Sequence, residues 1–201
     1  MAYDATLATP VTGTTISVAD FGAKVVGNIA HLAQLGRDLS LELAIPPLSD
    51  ITAAPIDVVE SSGAAPNPVW YRMPLDAAAD EGRQWNFILD RKYGSTPTLK
   101  VHYYMAGANV TKAIVLVCRI AAVSDGDASV TAKVFAAVNS ATVTVPDAAG
   151  TEDVASITLT NADSMAASDR IMLLLYRDAD AAGDTAAGDC VVTGVELWFS
   201  A

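Results

Sequence analysis

From Val69 onward, apolar and polar residues alternate with a period of two in eight successive segments: VWYRMPL, RQWNFILD, TLKVHYYMA, AIVLVCRIAAV, AKVFAAVNSATVTV, VASITLT, RIMLLLYRD and CVVTGVELWFS. Successive side chains of an extended chain point to opposite faces, so this period turns one face of each segment toward a core. The segments are rich in β-branched and aromatic residues, which fit a pleated, half-buried surface. Turn-formers separate them, as in DRKYGSTP, SDGDA, PDAAGTED, NADSMAASD and DADAAGDTAAGD. No helical pattern intervenes. Such a series predicts a mainly β protein built as an antiparallel β-sandwich, with the jelly roll as its eight-strand form.

One stretch breaks this pattern. Residues 18–39, VADFGAKVVGNIAHLAQLGRDL, carry apolar positions at helical spacing, with Ser17 as N-cap and Asp20 completing a box-like start. Val18, Phe21, Val25, Asn28, Leu32, Leu35 and Leu39 follow in steps of three and four, the a/d spacing of a coiled coil. Asn28 places one amide in that seam, where a polar residue sets register and copy number. Gly22, Gly27 and Gly36 weaken a free-standing helix by about 1 kcal/mol each relative to Ala. The helix therefore needs a partner: further copies of itself, a larger assembly, or the chain's own β domain.

Pro46 and Pro47 stop the helix, which the pattern carries to about Leu43. The expected organisation is an arm and association helix over 1–45, a Pro/Ala-rich linker over 46–68 that hugs a surface through Leu48, Ile51, Ile56, Val58 and Val59, and a sandwich over 69–201.

Hydrophobic residues make up 52% of the 201, enough for a sizeable core, and the formal net charge is −11. An acidic chain has no basic surplus with which to release the counterions of DNA or dock on an anionic bilayer, so neither nucleic acid nor membrane is expected as a direct partner. No apolar run approaches the roughly 20 residues of a membrane span, and the opening MAYDATLATP lacks a secretory signal pattern. Cys118 and Cys190 sit in two strand segments and read as buried free thiols that two strands could juxtapose.

Catalytic signatures are sparse. His31 and His102 are the two histidines, and no GxSxG, HExxH, P-loop or GxGxxG occurs. No cofactor is expected. Asp178, Asp180, Asp184 and Asp189 fall in one loop, where gathered oxygens suit calcium, although the spacing is not that of an EF-hand and a solvated acidic loop fits as well. Asp125 and Asp127 form a weaker version of the same pattern. Trp85, Phe87 and Leu89 alternate toward one face, with Trp85 as a core anchor. Arg91, Lys92 and Tyr93 suit a polyanion, a glycan or a plain strand-end turn, and Trp70, Tyr71, Tyr103 and Tyr104 suit stacking on a sugar.

The block TPVTGTTISVADFGAKVVGNIAHLAQLGRDL, with its Thr/Gly-rich arm, capped helix, Asn28 and Arg37-Asp38, resembles the leading segment of tailed-bacteriophage virion proteins. The remainder, from DAAADEGRQWNFILDRKYG to VTGVELWFS, is similar to the β-sandwiches such proteins display. The resemblance implies a non-enzymatic, multicopy virion component assembled in the host cytoplasm. As a homotrimeric capsid decoration (cement or head-fibre) protein it would bind the major capsid protein or other virion subunits. A tail-fibre, receptor-binding module reading host glycans is the alternative. A jelly-roll lectin or carbohydrate-acting enzyme is a third, since fold alone does not separate these.

Overall fold

The computed structural model describes residues 37–47, 50–89, 96–127 and 129–199. Eleven strands run in chain order: β1 Arg37–Asp38, β2 Thr52–Ala53, β3 Asp57–Glu60, β4 Val69–Leu75, β5 Glu81–Ile88, β6 Thr98–Met105, β7 Ala113–Val123, β8 Asn139–Thr144, β9 Glu152–Thr158, β10 Arg170–Arg177 and β11 Cys190–Trp198. They form two sheets. The first has the order β3-β4-β11-β6-β9, with β1 also on β11, and the second the order β2-β5-β10-β7-β8. Every named pair is antiparallel except β2–β5. From β4 to β11 the chain crosses between sheets at nearly every connection, the jelly-roll-like arrangement of a double sheet.

The eight alternating segments overlap β4 to β11, with β5 and β9 each displaced two residues toward the N-terminus and the largest difference at the fifth. The fifth begins at Asn139, seven residues after the start of AKVFAAVNSATVTV. The intervening Val134 and Val138 are 77% and 44% exposed, so their apolar character did not earn them a place in the pairing.

One continuous core lies between the sheets. Leu99, Val101, Val195 and Leu197 face it from the first sheet, and Leu116, Ile120, Leu173 and Leu175 from the second. The two outer faces differ. β7 and β10 are buried on both sides: Val115, Val117, Leu174 and Tyr176 make a second small cluster beneath Ile51, Phe135 and Ala181. Near-continuous apolar strands are what such double burial demands. β6 instead alternates strictly between buried and half-buried residues, so the outside of the first sheet stays open to water.

The expected helix does not extend to Leu43. Arg37 and Asp38 pair with Leu197 and Glu196 of β11, and Leu41–Leu43 form a single 3-10 turn. Leu39, assigned by spacing to the association seam, is 3% exposed in the sandwich core, and its N–H donates to the Val195 carbonyl at 2.7 Å. The reason is an unfilled edge. β4 covers β11 only at Cys190–Val192, and the rest of that edge would leave unpaired backbone groups without β1. Trp85, the predicted anchor, holds this segment by donating its indole N–H to the Ser40 carbonyl at 2.9 Å. Val18, Phe21, Val25, Asn28, Leu32 and Leu35 lie outside the described residues, as does the arm. Within 46–68, β2 and β3 add strands to the two sheets. Among the described residues, no helix is long and apolar enough to cross a membrane.

Cys118 on β7 and Cys190 on β11 are both buried and free. Burial pushes both thiols up, Cys190 to about 12 from an ordinary 9.0. Tyr103 is raised too, first by burial and then by its hydrogen bond to Asp153. These groups keep their protons in the folded chain after the unfolded chain has lost them. Their contribution is therefore complete below pH 9 and declines above it, by up to about 1.4 kcal/mol per pH unit for each group. Melting temperature should fall steadily from pH 9 to 11, and a thiol reagent at pH 8 should label neither cysteine until denaturant is added. Rapid labelling of the native protein would contradict the burial.

Candidate functional site

The open face of the first sheet is hollowed where β11 carries a glycine. The β6–β11 register shifts between Val192 and Gly194, leaving Thr193 as an extra residue at a bulge. Thr193 Oγ1 is buried there without a hydrogen-bond partner. Gly194 lies opposite His102 of β6, and a Cβ on it would meet the His102 Cβ and Cδ2 at 3.7 Å. At that distance the imidazole of His102 lies in van der Waals reach of the Gly194 backbone on the neighbouring strand.

The result is a groove of about 690 Å³. Thr193 to Glu196 and His102 make its floor, Trp70 of β4 and Tyr104 of β6 supply aromatic walls, and Gly150 and Glu152 close the end at β9. Gly150 has φ +74°, a left-handed turn that carries the chain into β9, and its N–H donates to the Met105 carbonyl at 2.9 Å.

Two carboxylates bracket the imidazole. Glu152 Oε1 lies 3.6 Å from His102 Nδ1 and Glu196 Oε1 lies 3.8 Å from Nε2, ion-pair distances when the ring is protonated. The Glu152 side chain is 66% exposed and that of Glu196 33%, so the first is a rim acceptor and the second is set deeper. Glu196 also accepts the Trp198 indole N–H at 2.5 Å. Beside it, Lys100 Nζ stands 3.9 Å from the centroid of the Trp198 ring, a cation–π contact that occupies this lysine. Chemically, the groove offers aromatic faces and hydrogen-bond acceptors on an open, shallow platform.

Of the four aromatics expected on a sugar, Trp70 and Tyr104 line the groove and the other two do not. Tyr103 is fully buried and donates its hydroxyl to Asp153 Oδ2 at 2.9 Å. Tyr71 follows Trp70 directly and therefore points to the other side of β4, where it is exposed but away from the groove. Arg91, Lys92, Tyr93 and His31 lie outside the described residues.

The four loop aspartates are not gathered into one site. Asp184 turns inward to Arg177, and Asp189 joins no carboxylate group among the described residues. Asp178 and Asp180 do converge, together with Asp80 from the β4–β5 turn. Loss of solvent, and next the hydrogen bond with Asp180, raise the Asp178 carboxyl. Asp127, the other acidic candidate, pairs with Lys133 at 3.6 Å. Glu152, Glu196, Thr193 and Gly194 were not anticipated as site residues. A glycine in the middle of VVTGVELW was the one signal that could have pointed to them.

No protein-family model and no curated protein matches the chain. Among solved structures, it is similar to a family 61 carbohydrate-binding module in complex with β-1,4-galactotriose, at 12% identity and TM-score 0.36, covering 71% of this chain and 81% of that one. The CBM22-1 xylan-binding domain of Xyn10C from Paenibacillus barcinonensis matches at 11% identity and TM-score 0.40, over 84% of this chain and 97% of that one. The enzymatically active domain of tailspike protein 4 of bacteriophage CBA120 matches at 8% identity and TM-score 0.37, over 75% of this chain and 18% of that one. Likeness at this level carries nothing about ligand or site.

Proposed function

We propose that this domain binds a glycan chain in the groove on the outer face of its first sheet and does not turn it over. The observation that carries the reading is the pairing of two aromatic walls, Trp70 and Tyr104, with carboxylate acceptors, Glu152 and Glu196, around a groove of about 690 Å³. A pyranose has an apolar C–H face that packs on an aromatic ring and hydroxyls that donate to carboxylates. The groove lies within the usual size of ligand sites, roughly 300–1,000 Å³. Its openness suits an extended chain passing through.

On the N-terminal resemblance, the setting of such a groove would be a receptor-binding module of a virion fibre. Trimer formation and capsid decoration draw on the arm and the Val18–Leu39 seam, of which all but Leu39 lies outside the described residues, and form no part of this proposal.

The test is affinity electrophoresis and calorimetry against a panel of soluble polysaccharides. Trp70→Ala should weaken binding about 30-fold, which corresponds to about 2 kcal/mol for a central aromatic contact. Tyr104→Ala should act in the same direction, with melting temperature unchanged in both. Retention by no polysaccharide, or retention that ignores both substitutions, refutes the reading. Release of reducing ends from a bound chain refutes the absence of turnover.

A further inference from the structure

We propose that the groove filters glycans by charge, admitting uncharged and amine-bearing chains and turning away those with carboxylate, sulfate or phosphate groups. This rests on the glycan-binding reading above. Among the described residues that line the groove, the acidic side chains are Glu152 and Glu196, the basic one is His102, and no lysine or arginine is present. The cations nearest to it in sequence and register face other groups, although both keep their charge and Arg72 Nε is buried without a hydrogen-bond partner. Lys100 lies over the Trp198 ring, and Arg72 Nη2 lies 3.6 Å from Asp57 Oδ2. His102, even when protonated, is a single positive charge between two carboxylates. Counted over its own lining, the groove is negative whichever state the imidazole takes, and Lys100, opposite Glu196 in register, sets a positive charge beside it. The chain as a whole adds a net −11 to the field that an approaching ligand meets.

The carboxylates still serve an uncharged ligand. An ionised carboxylate is an acceptor only, with about four lone-pair sites, and matches the vicinal hydroxyls of a neutral sugar. An acidic sugar at the same place sets like charges across a partly dehydrated gap with no guanidinium or ammonium to bridge them. An amino sugar supplies the cation that the site lacks. Affinity should rank amine-bearing above neutral and neutral above acidic. Rim charges interact weakly, so about three-fold is expected for Glu152 and more for the deeper Glu196. The combined difference between neutral and acidic ligand should be about tenfold at low salt and should shrink as salt is raised.

The experiment starts from whichever neutral polysaccharide the full chain retains and compares it with the same polymer oxidised to carboxylates at its primary hydroxyls. Chitosan oligosaccharide serves as the amine probe. The oxidised polymer should bind about tenfold more weakly, and in Glu152→Gln with Glu196→Gln the ratio of the two affinities should approach one, the neutral polymer itself weakening as two of its acceptors are altered. Gln keeps an acceptor for the Trp198 indole, and an unchanged melting temperature confirms that the double variant is folded. Equal or tighter binding of the oxidised polymer overturns the charge filter and leaves the glycan site standing. Discrimination that persists in the double variant also overturns it. Failure of every neutral and amine-bearing polymer to bind overturns the glycan reading and the filter together.

Discussion

Replacing Asp184 by Ala should cost about 3–5 kcal/mol of stability, because it strands a charge in the protein interior. Arg177 is 0% exposed at the end of β10. Its Nε and Nη2 donate to the two oxygens of Asp184 at 2.9 and 2.7 Å, the two-pronged geometry that a guanidinium favours. Nη2 also donates to the Ala186 carbonyl and Nη1 to those of Gly188 and Leu75, so one side chain ties the 178–189 loop to β4. Asp184 Oδ2 in turn accepts the Val115 N–H at 3.0 Å. Burial opposes the guanidinium charge, and the hydrogen bonds and charge of Asp184 outweigh it, so Arg177 holds its proton more firmly than a free arginine.

In Asp184→Ala the desolvation penalty stays and the compensation goes. For a chain of this size the loss should appear as a melting temperature lower by roughly 6–20 °C and a matching shift in the denaturant midpoint. Arg177→Met combined with Asp184→Leu should recover only part of it, since the stranded charge is removed but the Leu75, Gly188 and Ala186 carbonyls and the Val115 N–H lose their partners. A single-variant loss below about 1 kcal/mol would show that the pair is not shielded as described.

Gly82→Ala should be the other severe substitution, for a reason of space alone. A Cβ on Gly82 would run into the Leu175 carbonyl oxygen and come within 2.6 Å of the Tyr176 Cβ and 2.9 Å of its Cα. Those atoms belong to β10, with which β5 pairs at Gly82↔Tyr176. The colliding groups are backbone in a central pair of the sheet, so relief requires the strands to separate and stretch their hydrogen bonds. About 3 kcal/mol is expected, at the upper end of overpacking costs. Gly63→Ala provides the control: its Cβ would meet nothing closer than 3.7 Å, and the change should stay within about 0.5 kcal/mol. Comparable melting temperatures for the two variants would contradict the close approach of β5 and β10.

The alternating period made the strands readable because it is written in the chain: a residue two positions on shares a face whatever the sheet does next. β6 shows this most clearly, with TLKVHYYM carrying one apolar row, whereas the bulge of β11 moves its buried row from Cys190 and Val192 to Val195 and Leu197. The same property hid half of the site. Alternation states that Trp70 and Tyr71, or Tyr103 and Tyr104, point opposite ways, but not which way is outward. That sign depends on where the second sheet packs.

Partnerships across sequence distance were equally hidden. Asp184 looked like one carboxylate among several in an acidic loop, and only the fold of that loop back over Arg177 brought it inside. Glu152 and Glu196 are 44 residues apart and meet His102 from β9 and β11, on either side of β6. Leu39 misled for a related reason. Its spacing suits a helical seam, yet the unfilled edge of β11 offered backbone pairing and a core site that no local pattern records.

The acidic, mainly β character and the approximate places of the eight strands from Val69 onward thus follow from local periodicity and composition, which act over a few residues, whereas β1, β2 and β3 do not. The open groove, its bracketed histidine and the buried Arg177–Asp184 pair follow from strand order, because only strand order decides which distant faces meet and which face is left to water.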